Sequence, residues 1–287
     1  MDIAVVGAGK VGIAVAVAFR SAGHHIAAVS GRAETPARAA RYLPGTPVLS
    51  HLDAARSAPV VILAVPDDAL KHVVDELAGA GGFRDGGWAV HVNGAAGLSV
   101  LDAAGAAGAH RLAIHPLQTF PTLDDAVRHL RGSGVAVTAE DAEGEEFGMA
   151  LAREMGGVPF VVSDEARPLY HAGAVFASNY LVAVSAVAAG LLAAAGVADP
   201  AAALAPLQRA TLGNIEHLGP QAALTGPAVR GDTTTIGRNL EALRSAAPAA
   251  VGPYLSLCAV AVGLGVDSGR LAPADARAVI EVLDAWR

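Results

Sequence analysis

The sequence predicts an α/β domain built on a doubly wound parallel sheet, followed by an all-helical domain. Two observations carry this prediction. Residues 1–163 alternate short apolar, β-branched runs with alanine-rich stretches, which is the pattern of repeated β-α-β units. Residues 164–287 lack such strand patterns and resemble helices separated by glycine and proline. We therefore place the domain boundary between residues 163 and 164.

Seven strands are predicted in the first domain. Several are apolar throughout rather than alternating, as expected where helices cover both faces of a parallel sheet. The predicted strands are Ile3–Val6, Ile26–Ser30, Val60–Val65, Ala89–Val92, Leu112–Ile114, Val135–Thr138 and Val158–Val162.

The second domain is predicted to start with a long helix. Ser163-Asp164-Glu165 followed by Pro168 is typical of a capped helix start. Residues 172–198 contain no charge and are long enough to span a bilayer, but alanine and glycine dominate them and no basic flank is present. We therefore expect a buried helix and no membrane span. Further breaks are predicted at Gly219-Pro220, Gly226-Pro227, Pro253 and Pro273.

Composition excludes several classes of protein. The chain has 287 residues, of which 53% are hydrophobic and 16% charged, so it is neither disordered nor a disulfide-built miniature. A net charge of −7 without a basic cluster argues against a nucleic acid partner. The single cysteine, Cys258, suits a reducing compartment, and the start Met1-Asp2-Ile3 lacks the features of a secretory signal. We expect a cytoplasmic protein.

A glycine motif after the first strand predicts a dinucleotide site. Gly7-Ala8-Gly9-Lys10-Val11-Gly12 follows Ile3–Val6 and opens an apolar helix. In this context the glycines permit a tight turn and close approach of backbone N–H groups to a pyrophosphate, and the helix N-terminus attracts the negative charge. We therefore expect a Rossmann-type fold that binds a dinucleotide through these six residues.

The end of the second strand favours NADP(H) over NAD(H). An Asp or Glu that binds a ribose hydroxyl is usual there, whereas this strand runs into Ser30-Gly31-Arg32. Ser30 can hydrogen-bond a 2′-phosphate and Arg32 can pair with it, although Arg32 is also explained as a solvated loop residue. Val65, Pro66 and Asn93 follow other strands at the ligand-binding edge and are candidates to contact the nicotinamide ribose, or are simply turn residues.

The long helix carries the best candidates for proton transfer. His171, Ser178 and Asn179 lie seven and eight positions apart, two turns along nearly one face of a regular helix. His171 can protonate a developing alkoxide or amine while Asn179 hydrogen-bonds the substrate and Ser178 contacts it. A histidine bonded to a core carbonyl and an asparagine bridging two helices are the structural alternative.

Two further segments contain candidate substrate-binding residues. In His115-Pro116-Leu117-Gln118, His115 and Gln118 can face the substrate, although the prolines of this region also suit a rigid structural loop. Arg230 precedes a helix in the second domain and can hold a carboxylate or a phosphate, while the neighbouring Asp232 and threonines can simply cap that helix. The histidines near strand ends come without cysteine or a compact carboxylate set, so we expect no metal site.

These segments resemble a bacterial family of uncharacterised proteins in which a Rossmann-like, oxidoreductase-type domain precedes a helical domain of unknown function. The resemblance covers essentially the whole chain. It rests on VVGAGKVG, HPLQTFP, YHAGAVFASNY and LTGPAVRGD. More distantly the chain is similar to ketopantoate reductases, pyrroline-5-carboxylate reductases and β-hydroxyacid dehydrogenases, with a second domain like the C-terminal domain of 6-phosphogluconate dehydrogenase. The resemblance implies NADP(H), an active site in the cleft between the domains, and a homodimer formed through the helical domain.

Individual residues follow these relatives only in part. Ketopantoate reductases and β-hydroxyacid dehydrogenases carry a catalytic lysine on the first long helix, followed by asparagines at one-turn spacings. Here His171 takes the place of the lysine, Val175 replaces the first asparagine, and Asn179 matches the second. The stretch 231–235, Gly-Asp-Thr-Thr-Thr, partly matches the glycine- and threonine-rich stretch of pyrroline-5-carboxylate reductases, which keeps an imine substrate open.

The sequence therefore predicts an NADP(H)-dependent oxidoreductase that reduces a small carbonyl acid such as a 2-oxo acid, with ketopantoate among the candidates. His171 would donate the proton, Asn179 would orient the oxygen, and Arg230 would hold the carboxylate of an anionic substrate. Reduction of a cyclic imine is one alternative. A non-catalytic NADP-binding sensor or scaffold is another.

Overall fold

The computed structural model describes all residues, 1–287, and divides the chain into two compact units, Met1–Asn179 and Tyr180–Arg287. The division lies inside the long helix rather than after residue 163, where the sequence places it. The first unit retains the start of this helix because the buried Arg167 guanidinium bonds to backbone and side-chain oxygens of the sheet unit.

All seven predicted strands form one sheet in the first unit, in the order β2-β1-β3-β4-β5-β6-β7. The first five run parallel, whereas β6 pairs antiparallel with β5 and parallel with β7. The strand direction reverses at β6 because the last residue of β5, Leu117, pairs with the first residue of β6, Gly134. The connection between these two strands therefore begins and ends at the same edge of the sheet. The fold class is confirmed, with this reversal as the departure from a fully parallel sheet. The strands are β1 (Asp2–Val6), β2 (His25–Ser30), β3 (Val60–Leu63), β4 (Trp88–His91), β5 (His110–Leu117), β6 (Gly134–Ala139) and β7 (Val158–Val161).

Helices cover both faces of the sheet, which explains the unbroken apolar strands. In β3, Val60 and Ile62 belong to one core cluster, and Val61 and Leu63 belong to the cluster on the other face. The helices of this unit are α1 (Lys10–Ser21), α2 (Thr35–Tyr42), α3 (His51–Arg56), α4 (Asp67–Gly79), α5 (Asp102–Ala106), α6 (Leu123–His129), α7 (Ala142–Glu154) and α8 (Arg167–Val175).

The second unit is entirely helical. Its core comes from its last three helices and includes Ile236, Leu255 and Val279. The predicted break at Gly219-Pro220 is present as a positive φ of 77° at Gly219. Pro273 begins a helix as predicted, whereas Pro253 is tolerated in the first turn of a helix, where no N–H is needed. The helices are α9 (Leu181–Ala194), α10 (Pro200–Ala223), α11 (Thr233–Ala246), α12 (Val251–Asp267) and α13 (Pro273–Asp284).

The long helix predicted to be buried is exposed within the single chain, which corrects that expectation. Arg167–Ala194 and Pro248–Asp267 are long and apolar enough to cross a membrane by length and composition, and the most apolar window of the first has no buried residue. Val182 is 69% exposed and Leu207, on α10, is 63% exposed. The reason is that α9 is apolar around its whole circumference, so neighbours on one side leave apolar side chains uncovered on the other.

Candidate functional site

The turn between β1 and α1 is a glycine cradle beside a cavity of about 550 Å³. Gly7 has φ +100°, and a Cβ there would lie 2.5 Å from the carbonyl carbon of Ala64. A Cβ at Gly12 would overlap the carbonyl oxygen of Gly7, whereas one at Gly9 would meet nothing within 4 Å. Gly7 and Gly12 are thus required for close packing, and Gly9 leaves open space for a ligand.

The start of α1 is suited to an anion. Gly9 is its N-cap and no side chain caps the first amides, which therefore remain free for a ligand. Gly7, Ala8, Gly9, Lys10 and Val11, which the sequence predicts to bind a dinucleotide, line the cavity, and Gly12 lies behind them as a packing residue. The Lys10 ammonium also donates to the carbonyl of Pro121 at 2.6 Å, which keeps its charge beside the cavity.

At the end of β2, Arg32 lines the cavity but Ser30 does not. Ser30 is fully buried, and its carbonyl accepts from the amides of Gly7 and Ala8 at 3.0 and 2.7 Å. The structure therefore places Ser30 beneath the glycine turn, where it supports the backbone, and not at a phosphate. A backbone role of this kind cannot be inferred from residue type.

Several cationic and polar groups of this cavity were not predicted from the sequence. Thr35, Arg38 and His51 line it together with Arg32. Arg38 pairs with Glu34, which offsets the negative charge of that carboxylate, two residues from Arg32. The helical spacing of Glu34 and Arg38 was a readable signal of this ion pair.

The other wall of the cavity contains Val65 and Pro66, two of the residues predicted to contact the nicotinamide ribose, with Asp67 and Phe120. Asn93 does not line it. Its side-chain oxygen accepts from the amides of Ala95 and Ala96 at 2.8 and 2.6 Å, so it is a turn residue.

A second polar cluster joins the end of β5 to α8. His115 Nδ1 and the Tyr170 hydroxyl are 2.7 Å apart, and the two rings meet edge to face with centroids 5.6 Å apart. His171 follows Tyr170 in the chain, and the centroid of its ring lies 6.3 Å from that of the His115 ring. The sequence placed His115 and His171 at a substrate site, and the structure brings them together.

The backbone of Gly94 packs against both imidazoles. A Cβ at Gly94 would lie 2.6 Å from His171 Nδ1 and 2.9 Å from His115 Nε2. His171 Nδ1 is buried and has no hydrogen-bond partner, which is uncommon for a polar atom inside a protein. Glycine is therefore the residue that fits between the two histidines.

Arg167 holds this region together. It is fully buried and donates from Nε to the carbonyl of Ala96, from Nη2 to the carbonyl of Asn93, and from Nη1 to the Thr138 hydroxyl at 2.9 Å. One side chain thus ties two separate segments, the loop after β4 and strand β6, to α8. Sequence reasoning missed Arg167 because an arginine in the first turn of a helix is normally exposed.

The environment keeps two histidines neutral. Burial, and secondly the charge of Arg167, lowers the pKa of His115 to about 4 and that of the fully buried His91 to about 3. Burial raises the pKa of the Tyr170 hydroxyl to about 12. At neutral pH, therefore, His115 is an uncharged imidazole beside a protonated phenol.

The remaining predicted residues are placed as follows. Both amide atoms of Gln118 are used locally, with Nε2 donating to the His129 carbonyl at 3.2 Å and Oε1 accepting from the Thr119 amide at 2.8 Å. Arg230 lies in the helical unit, exposed, with its guanidinium 3.8 Å from the Asp232 carboxylate, and Asp232 caps α11.

Ser178 and Asn179 lie in a π-helical turn, Phe176–Tyr180, that interrupts the helix. Between His171 and these two residues the helix is therefore not regular, whereas the sequence predicts a regular one, because each residue of the wider π turn advances less around the axis. Such turns are frequent at functional sites.

The arrangement as a whole fits a dinucleotide. A glycine cradle, free helix amides and cationic side chains surround the cavity. The histidine cluster lies at the same sheet edge, where His115 is near the end of β5 and Gly94 follows β4. No group of three or more His, Cys, Asp or Glu side chains is placed to hold a metal ion.

Two family matches agree with this architecture. Residues 1–116 match a Rossmann-like domain, and residues 133–259 match a domain of unknown function, DUF2520. None of the curated proteins matches the chain.

Solved structures resemble the chain over nearly its full length. A protein from Bacteroides fragilis, provisionally named an NADP oxidoreductase, is 24% identical with a TM-score of 0.74, over 91% of this chain and 98% of that one. Protein TM1727 from Thermotoga maritima is 22% identical, with a TM-score of 0.64 over 100% of both chains. A reductive aminase from Aspergillus terreus, in complex with NADPH and ethyl levulinate, is 20% identical, with a TM-score of 0.62 over 100% and 99%. These likenesses show the shared fold.

Proposed function

We propose that this chain, a Rossmann-like domain joined to a DUF2520 domain, is an NADP(H)-dependent oxidoreductase that reduces a small carbonyl acid. The observation that carries the proposal is the glycine-cradled cavity with Arg32 and Arg38 at the end of β2. The names of the Bacteroides fragilis and Aspergillus terreus proteins support a nicotinamide cofactor of the phosphorylated kind.

The cationic end of the cavity supports NADP(H) over NAD(H). The 2′-phosphate carries negative charge where a ribose hydroxyl carries none, and guanidinium groups bind phosphate through charge-assisted hydrogen bonds. Arg32 is free to make such bonds, since Arg38 is the guanidinium that pairs with Glu34. Lys10 and the amides of α1 would face the pyrophosphate.

The histidine cluster supplies the groups that a carbonyl reduction needs. Bound NADPH supplies a hydride to the carbonyl carbon, and the oxygen must then take up one proton to give a hydroxyl. His171 donates this proton, and His115 contacts the same region of the substrate. Asn179 orients the oxygen and Arg230 pairs with the substrate carboxylate, as the sequence predicts.

The second candidate is reduction of a cyclic imine. The observation that favours it is the likeness to a reductive aminase over the whole chain. In that reaction His171 would protonate the nitrogen instead. A catalytically silent NADP-binding sensor is the third possibility, because the fold persists without turnover.

One assay separates these functions. NADPH oxidation is followed against a panel of 2-oxo acids, including ketopantoate, and of cyclic imines, with His171→Ala beside the wild type. We expect turnover with a 2-oxo acid that falls at least 100-fold in the variant while NADPH binding is retained. Turnover only with imines supports the second candidate. NADPH binding without turnover of any substrate contradicts both reductase proposals.

We also propose a cytoplasmic homodimer, and the exposed apolar helices support the dimer. Val182 and Leu207 belong to a set of large apolar side chains on α9 and α10 that the single chain leaves uncovered. A second copy would bury them, and the small residues of α9 suit close helix packing.

A further inference from the structure

We propose that Tyr170 is a positioning residue that fixes the tautomer of His115, so that the ring presents a protonated Nε2 to an acceptor oxygen of the substrate. This proposal rests on the proposed function and narrows it. A neutral N–H donor in this place suits a carbonyl or carboxylate oxygen and disfavours a cationic iminium.

The first step is the hydrogen bond between the two side chains. Only 2.7 Å separates the Tyr170 hydroxyl from His115 Nδ1, and this is the one hydrogen bond of that hydroxyl. The phenol is protonated at neutral pH because burial raises its pKa to about 12. A half-buried phenol proton needs an acceptor, and Nδ1 of a neutral imidazole provides one.

The second step follows from the tautomer of a neutral ring. When Nδ1 accepts a hydrogen bond, the single ring proton resides on Nε2. That nitrogen points to the side of the ring where the Gly94 backbone and His171 lie. His115 therefore offers a donor beside the group that we propose to deliver the proton.

The third step concerns charge. The groups that act electrostatically on His115 are Arg167 and His171, and no carboxylate is among them. Arg167 is fully buried and bonded to three uncharged oxygens, and the Asp164 carboxylate acts on its charge electrostatically without forming an ion pair with it. A positive environment stabilises the oxygen on which negative charge develops and opposes a cationic substrate.

The tautomer is measured directly by ¹⁵N NMR of the full chain labelled at histidine, without any substrate. We expect His115 to carry its proton on Nε2, and Tyr170→Phe to convert this state to an exchanging mixture. Tyr254→Phe serves as the matched control, since the Tyr254 hydroxyl is bonded to Asn239 in the helical unit. A proton on Nδ1 in the wild type overturns the proposal.

Binding of oxamate, a non-reducible analogue of a 2-oxo acid, tests the donor role. On the NADPH-loaded protein we expect His115→Phe and Tyr170→Phe each to weaken oxamate binding by about tenfold. Because Tyr170 acts through His115, adding Tyr170→Phe to His115→Phe should weaken binding no further. Fully additive losses, or tighter binding of pyrrolidinium than of oxamate, would overturn the proposal.

The two proposals fail in different ways. NADPH binding without turnover removes the proposed reductase activity whatever the tautomer of His115. If the wild type reduces a 2-oxo acid but His115 carries its proton on Nδ1, the proposed reductase activity stands. Only the role assigned to Tyr170 is then wrong.

Discussion

The hydroxyl of Tyr170 lies 2.7 Å from Nδ1 of His115, a residue 55 positions earlier in the chain. This bond links α8 to the end of β5. Since Tyr170 precedes His171, it also sets the position of His171 against the sheet, where the rings of the two histidines lie 6.3 Å apart. A tyrosine that takes no part in the proposed proton transfer therefore helps to hold the two histidines in their relative position.

The two glycines of the nucleotide turn should respond differently to alanine. In Gly12→Ala the new methyl overlaps the Gly7 carbonyl oxygen, so we expect the free energy of unfolding to fall by about 1–3 kcal/mol. In Gly9→Ala the methyl meets open space, so folding should be retained while NADPH binding weakens. Thermal unfolding and calorimetric titration measure the two effects. Equal melting temperatures for both variants would contradict the packing assigned to Gly12.

Arg32 should determine the preference for the phosphorylated cofactor. Removal of its guanidinium in Arg32→Ala should weaken NADPH binding by about tenfold to a hundredfold, because a charge-assisted hydrogen bond contributes roughly 1.5–3 kcal/mol. NADH binding should change little. Isothermal titration calorimetry with both nucleotides measures this, and Arg128→Ala, which is outside the cavity, is the control. A wild type that prefers NADH would refute the assignment.

Replacement of Arg167 should destabilise the first unit strongly. Arg167→Met keeps much of the side-chain volume but leaves two backbone carbonyls and the Thr138 hydroxyl without their donor. We expect a loss of about 2–4 kcal/mol in urea unfolding. Thr138→Val removes one of the three acceptors and also the hydrogen bond to the Val162 carbonyl. We expect its free energy of unfolding to fall by less than that of Arg167→Met. A loss below that of Thr138→Val would show that Arg167 does not tie the segments together.

The stability of the protein should fall between pH 7.5 and pH 5. His91 and His115 have pKa values of about 3 and about 4 in the folded chain, below the usual 6.5. The unfolded chain therefore binds more protons in this window, and the free energy of unfolding decreases as the pH falls. Burial is the largest cause of both low pKa values. The charged or titratable groups that also lower them are Arg167 for both rings, His171 for His115, and His115 for His91, and the Tyr170 hydroxyl contacts His115.

Each of these two histidines should account for about 2 kcal/mol of the loss at pH 5. Urea unfolding of the wild type and of His115→Phe at both pH values isolates the share of His115. We expect the loss of unfolding free energy that comes from these two histidines to be about half as large in the variant as in the wild type. Identical losses would mean that His115 titrates normally in the folded protein.

The exposed apolar face should control the oligomeric state. We expect light scattering to give twice the mass of one chain for the wild type, and Val182→Glu or Leu207→Glu to yield monomers, because a charge cannot be buried unpaired in an apolar interface. Val158→Glu, at an exposed position on β7, is the matched control. A monomeric wild type at working concentration would contradict the dimer.

The sequence by itself determined the seven strands, the glycine turn and the two-part organisation. These features depend on local patterns, since runs such as Val60–Leu63 and the spacing of Gly7, Gly9 and Gly12 specify backbone conformation within a few residues. The sequence also named both histidines of the site, His115 from its place after a predicted strand and His171 from its place on the long helix.

Tertiary structure alone decided the partners of these residues. Burial of Arg167 needs oxygens from Ala96, Asn93 and Thr138, which no local pattern brings together. The reversal of β6, the π turn at Phe176–Tyr180 and the uncovered face of α9 likewise depend on packing between distant segments. Local sequence specifies which elements form, whereas contacts between elements decide which polar groups meet and which apolar surfaces remain for a partner.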